Sequence, residues 1–262
     1  MSSTAEVALT ELQQRLAEYV RACSAAVWVT SFEPQEVLRE VAELCAREGW
    51  QAYSWTSHTG LCPVGGACEE TETQDPLTAI RAAAALGDGE QPVLCLFFNL
   101  DRWLTAPELI QAVLWLTEQG KQRRITLLIV SPVVNLPVEL ERQFAVVEHP
   151  LPDRAELEQI GRQIATQPGE WPVAAEEQAR VLDAASGLTR HQAEDAFSLS
   201  LVRKGRVCAE TIWQYKVATL KAGNLIEVWQ PQEGFAGLGG LEALKHFCLR
   251  SLTSSRRQNR II

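Results

Sequence analysis

Five short apolar runs, each set apart from the next by a turn or a helix-length stretch, constrain this chain more than any other feature. They read AAVWVTS (25–31), WQAYSW (50–55), PVLCLFFNL (92–100), ITLLIVS (125–131) and AVVEHPL (145–151). Short runs rich in β-branched and aromatic residues, bounded by turn signals, read as strands, and the continuous ones as strands buried on both faces. The stretches between carry helix punctuation. Pro34 opens one helix that stops at Gly49, Asp75 and Pro76 cap and open another, and a third runs from about 107 to 119. Residues 10–22 place Leu12, Leu16, Tyr19 and Val20 at helical spacing ahead of the first strand. Residues 56–74, rich in Gly, Cys, Thr and Glu, read as a loop. Strands alternating with helices predict a parallel five-stranded sheet covered on both faces, an α/β sandwich of three layers.

The pattern changes after Pro152. Segments 153–166, 174–185, 189–204 and 208–223 all read as helices. In SGLTRHQAEDAF, Gly187 ends one helix, Thr189 caps the next, and Gln192 three residues on completes a capping box. The expected organisation is an α/β domain over 1–152, a small all-α domain over 153–226, and a Pro/Gly-rich linker with a last amphipathic helix and tail over 227–262.

The net charge of −9 excludes broad nucleic-acid binding, because an acidic surface repels phosphate backbones. Only the tail is locally basic, with Arg256, Arg257 and Arg260, and it reads as a solvated end. No apolar run reaches the ~18–20 residues that span a bilayer, and the start has no signal-peptide core, so the expected location is the cytoplasm. The seven cysteines read as buried thiols of a reducing compartment. Cys62 and Cys68 are the one close pair. No second ligand pair follows at zinc spacing, so no metal is expected.

Four segments carry a resemblance to a known family. PVLCLFFNLD resembles a Walker B strand, which is apolar and ends in acid. ITLLIVSPVVNLP resembles the sensor strand and its exit loop. VELERQFAVVEHPLPDRAELEQI resembles the stretch from the arginine-finger region through the fifth strand to the lid. SGLTRHQAEDAF resembles a pair of lid helices. Together they make the chain, over about 12–249, similar to an AAA-type ATPase module: a P-loop NTPase-like sheet followed by a helical lid. Within that family the chain resembles the degenerate N-terminal half of AAA proteins from cyanobacteria and plastid genomes. FAGLGGLEALKHFCLRSL (235–252) resembles the entry to a second, P-loop-bearing module.

ATP hydrolysis needs a glycine-rich loop whose N–H groups cradle phosphate, with a Lys and a Ser/Thr, in the pattern GxxxxGK[ST]. It belongs between the first strand and its following helix, where this chain has TSFEPQEVLREV (30–41). That stretch has no glycine and no lysine, and it carries Glu33 and Glu36. A helix start favours negative charge by about 0.3–1 kcal/mol, so the chain supplies its own anions there. The Walker B position ends in Asn99-Leu100-Asp101 rather than consecutive Asp-Glu. Asp101 is a metal-ligand or catalytic candidate, or else a turn cap. Arg142 stands in the arginine-finger region, or is an exposed helix-end arginine. Ser31 and Ser131 are the candidates for cofactor binding, and Trp28 and Trp115 fit core positions.

The expected function is that of a non-catalytic AAA-like module acting through protein contacts, as a regulatory or assembly partner of an active AAA ATPase or of its own kind. No cofactor is expected. The alternative is an ATP-hydrolysing protein with a divergent site (Asp101, Ser131, Arg142), active only within an oligomer. A third reading is a small-molecule sensor at the carboxyl ends of the strands, where Ser31, Trp55, Asp101 and Ser131 fall.

Overall fold

The computed structural model describes residues 9–67, 72–222 and 239–258. The chain divides into two compact units, Met1–Ile212 and Trp213–Ile262. The first opens with α1 (Glu11–Arg21), whose Thr10 and Gln13 form a capping box. Then come β1 (Ala26–Thr30), α2 (Pro34–Glu48), β2 (Gln51–Thr56), β3 (Gly60–Pro63), α3 (Pro76–Ala84), β4 (Val93–Phe98), α4 (Pro107–Arg123), β5 (Ile125–Ser131) and β6 (Ala145–Glu148). Helices α5 (Arg154–Ile164), α6 (Ala175–Ala185) and α7 (Arg190–Lys204) follow, and α8 (Ala209–Ala222) begins in this unit and continues past Ile212 into the second.

The sheet has six strands in the order β3-β2-β4-β5-β1-β6. Five are parallel, as the alternating pattern predicts, and β3 pairs antiparallel with β2 at the edge. The sheet is therefore mixed, which corrects the five-stranded, all-parallel expectation. The sixth strand lies inside the stretch expected to be a loop. Thr56 and Thr59 bond to each other through their hydroxyls, Gly60 takes a positive φ of 74°, and the chain folds back as a hairpin. Leu61 and Cys62 are buried there, and the Leu61 N–H donates to Thr73 Oγ1. A four-residue strand ending in proline carries no alternation long enough to read from sequence.

Each inner strand is apolar on both sides because each faces a helical layer. Ala26, Trp28, Cys95, Phe97, Leu127 and Ile129 pack with residues of α3 and α4. Their alternate neighbours Val27, Val29, Leu94, Leu96, Leu128 and Val130 pack with Leu12 and Leu16 of α1 and with Val37, Val41 and Leu44 of α2. This period-2 partition makes the three layers. Trp115 is 46% exposed, against its expected core place. The buried stripe of α4 is Leu109, Val113, Leu116, Thr117 and Gly120, and position 115 falls off it.

The cysteines also depart from expectation. Cys45 and Cys95 are buried thiols, both pushed up to about 12 by burial. Cys23 is exposed, Cys208 and Cys248 are half-buried, and Cys62 is disulfide-bonded. Cys68 lies outside the described residues. So do residues 223–238, which hold the end of the expected all-α domain and the start of the expected linker, and the side chains of the tail arginines.

Among the described residues of the second unit, α9 (Glu242–Gln258) is a 17-residue helix, with Leu244, Phe247 and Leu249 exposed. No helix among the described residues is long and apolar enough to cross a membrane.

Candidate functional site: a carboxylate-lined junction at the end of β1

The site grows from the register of two strands. β1 and β6 run parallel with Thr30 beside Glu148, so the residues that leave them next, Ser31 and His149, emerge side by side. The His149 N–H donates to Thr30 O at 3.0 Å and fixes the pair. Ser31 Oγ lies 2.8 Å from His149 Nδ1 and accepts the Glu33 N–H at 2.9 Å. On the other side of the ring, His149 Nε2 is 3.2 Å from Glu40 Oε1. The Thr10 hydroxyl donates to the second Glu40 oxygen, and Gln13 Nε2 donates to Glu40 O at 3.0 Å. One buried polar chain thus joins α1, α2, β1 and β6.

Burial pushes the Glu40 pKa up, but the hydrogen bonds from His149 and Thr10 outweigh it and hold the carboxyl below its ordinary value. Glu40 is therefore an ionised group in a closed site, with partners on both oxygens.

Glu33, Glu36, Glu40 and Glu43 follow at helical spacing and form an acidic stripe along one side of α2. Arg39 is bonded to Glu36 and Glu43, and these pairs raise its pKa further, Glu36 first. Glu33 makes a longer-range contact: the backbone N–H of His191, in the first turn of α7, donates to its Oε1 at 3.1 Å. Arg190 Nη1 stands 3.9 Å from Glu36 Oε1. These groups surround a cavity of about 260 Å³, lined by six carboxylates (Glu11, Glu33, Glu36, Glu40, Asp153 and Glu156) and by Arg39, Arg190 and His149.

Of the residues singled out from sequence, Ser31, Glu33 and Glu36 meet here. Ser131 is the neighbour of Ser31 through the backbone, since the Ser31 N–H donates to Ser131 O at 3.0 Å. Its own hydroxyl donates to Val133 O and closes a turn. Asp101 lies past β4, two strands away from β1, in a 3₁₀ turn (Leu100–Arg102). It is 9% exposed, with Oδ2 3.6 Å from Arg102 Nε and Oδ1 buried without a partner among the described residues. Arg142 is exposed on the turn before β6. Among the described residues, no group of three His, Cys, Asp or Glu could hold a metal ion.

Sequence reading missed His149, Glu40, Thr10 and Arg190. A histidine at the end of the last strand and a glutamate two turns into the first covering helix carry no motif. Only the strand register and the docking of α1 bring them together.

A family model described as "SpoVK-like AAA ATPase, N-terminal domain" matches residues 12–149, and one described as "SpoVK-like AAA ATPase, second domain" matches 155–223. No curated protein sequence matches. Among solved structures, the chain is similar to PCH-2 of C. elegans, at 12% identity and a TM-score of 0.50, over 82% of this chain and 69% of that one. It is also similar to a chain of the E. coli MS115-1 HORMA:CdnC:Trip13 complex, at 12% identity and a TM-score of 0.53, over 87% and 91%. At such identity the two structures speak for the fold alone. The two family matches together span both the α/β body and the helices that follow it, and the chain belongs to the SpoVK-like AAA ATPases.

Proposed function

We propose that this chain is a non-catalytic AAA-like module. In this reading it acts through protein contacts, as a regulatory or assembly partner of an active AAA ATPase. Residues 1–152 are its body, 153–226 its helical lid, and 227–262 the connection and tail. The cytoplasm is its proposed place, and a degenerate front module of the kind found in cyanobacterial and plastid AAA proteins is its proposed type.

The observation that carries this reading is the state of the turn after β1, where the family's nucleotide would sit. The residues there do not fit a triphosphate. A phosphate cradle needs several free backbone N–H groups at the helix start. Here the Glu33 N–H is spent on Ser31 Oγ, Pro34 has none, and the Glu36 N–H is spent on Glu33 O. The Glu33 and Glu36 side chains add like charge. One such pair at 4 Å costs about 4 kcal/mol at an effective dielectric of 20, and about 1 kcal/mol in water. Isothermal titration with Mg·ATP tests the reading. No saturable binding below about 1 mM is expected, and micromolar binding contradicts the loss of the nucleotide site.

The alternative, hydrolysis at a divergent site within an oligomer, has one observation in its favour: the orphaned, buried Asp101 Oδ1. Against it, the Ser131 hydroxyl is engaged within its own turn. Steady phosphate release that disappears in Asp101→Ala would favour this alternative.

A further inference from the structure

We propose that Glu33, Glu36 and the N-terminus of α7 form a nucleotide-independent latch that holds helices α5–α7 closed on the α/β body. The proposal rests on the reading of the β1–α2 turn as a site without nucleotide, and it adds what performs the closing there.

The first turn of α7 leaves backbone N–H groups without partners inside the helix. Thr189 Oγ1 accepts the Gln192 N–H at 3.2 Å, as the capping box predicts. The His191 N–H goes instead to Glu33 Oε1, a residue 158 positions earlier in the chain. Its neighbour Arg190 reaches Glu36, which is itself fixed by Arg39. An anion at a helix start is favoured both by the free N–H groups and by the helix dipole. Glu33 supplies that anion from the opposite wall of the cavity.

The latch has a rigid base. The Glu33 backbone is held by Ser31 Oγ, Ser31 by His149, and His149 by Glu40. The covalent connection to α5 starts beside it, at His149-Pro150-Leu151-Pro152, whose two prolines restrict that short segment. Helices α5 and α6 are tied together by Arg154, whose guanidinium donates to Asp183 Oδ1 and to Ala179 O. The strap at 150–152 and the latch at Glu33 and Glu36 both border the cavity of about 260 Å³, whose lining also includes Arg190 of α7 and Glu156 of α5. Releasing the latch removes the body's support from α7, opens that cavity and lowers the free energy at which these helices open locally.

Amide hydrogen exchange on the full chain, without nucleotide, tests this. In Glu33→Ala the His191 amide and the segment 175–204 are expected to exchange roughly tenfold faster than in wild type. Glu33→Gln keeps a carbonyl acceptor and is expected to fall between the two. Glu194→Ala removes the other carboxylate beside Arg190, on α7 itself, and is expected to leave the segment unchanged. Acceleration confined to the His191 amide, or no acceleration in Glu33→Ala, overturns the latch. Micromolar ATP binding by the wild type would overturn the reading of the turn as a site without nucleotide instead, and the exchange experiment does not depend on it.

Discussion

Glu40 shows how much of the site depends on a single buried charge. Its two oxygens face His149 Nε2 and the Thr10 hydroxyl, and its backbone carbonyl accepts from Gln13. Removing the carboxylate leaves the His149 ring and the Thr10 hydroxyl without their partner, at a cost of roughly 1–3 kcal/mol. Glu40→Ala is expected to lose about that much at pH 7, read by urea unfolding. The pH dependence follows from the direction of the shift. The folded-state carboxyl titrates below its ordinary 4.5, so its contribution is present above that value and is lost as pH falls through the folded pKa. The gap between wild type and Glu40→Ala should therefore narrow below about pH 4.5; a gap constant with pH would assign the loss to packing alone. Glu33 and Glu36 were legible in the sequence because they stand where a known motif would stand. Glu40 and His149 were not, because their meaning is a contact 109 positions apart.

At the scale of elements, punctuation was the readable part. The Pro34 start, the Gly49 stop in the left-handed region, the Asp75 cap and the Thr189–Gln192 box all appear in the structure as the sequence indicates. Thr189→Ala should cost about 1 kcal/mol through the lost cap, measurable as a shift in urea midpoint. The edge hairpin β2–β3 was not readable, since four residues give no period. Neither was the packing of α5 on Trp171. A Cβ at Gly161 would run into the indole ring at Cη2, only 2.5 Å away, in a contact backed by the cation–π approach of Arg162. Gly161→Ala is expected to destabilise the helical segment by about 1–3 kcal/mol through overpacking. Unchanged protection across α5 would show that the ring can move aside.

For the whole molecule, the strand–helix alternation predicted the three layers because each inner strand must be apolar on both sides to be covered on both sides. The number of strands and the mixed edge did not follow from it, as an edge strand obeys no such demand. The family relation places the chain among AAA ATPases, while the turn after β1 carries Glu33, which accepts the His191 N–H, and Glu36 follows it. The proposed function joins the two in one claim: the chain closes this site with its own side chains. Thermal unfolding with and without Mg·ATP tests it most directly. A site of 50 µM affinity would gain about 2.7 kcal/mol at 5 mM nucleotide, a shift of several degrees. A site filled by Glu33 and Glu36 predicts no shift in midpoint at 5 mM Mg·ATP, and a saturable upward shift of several degrees would contradict it.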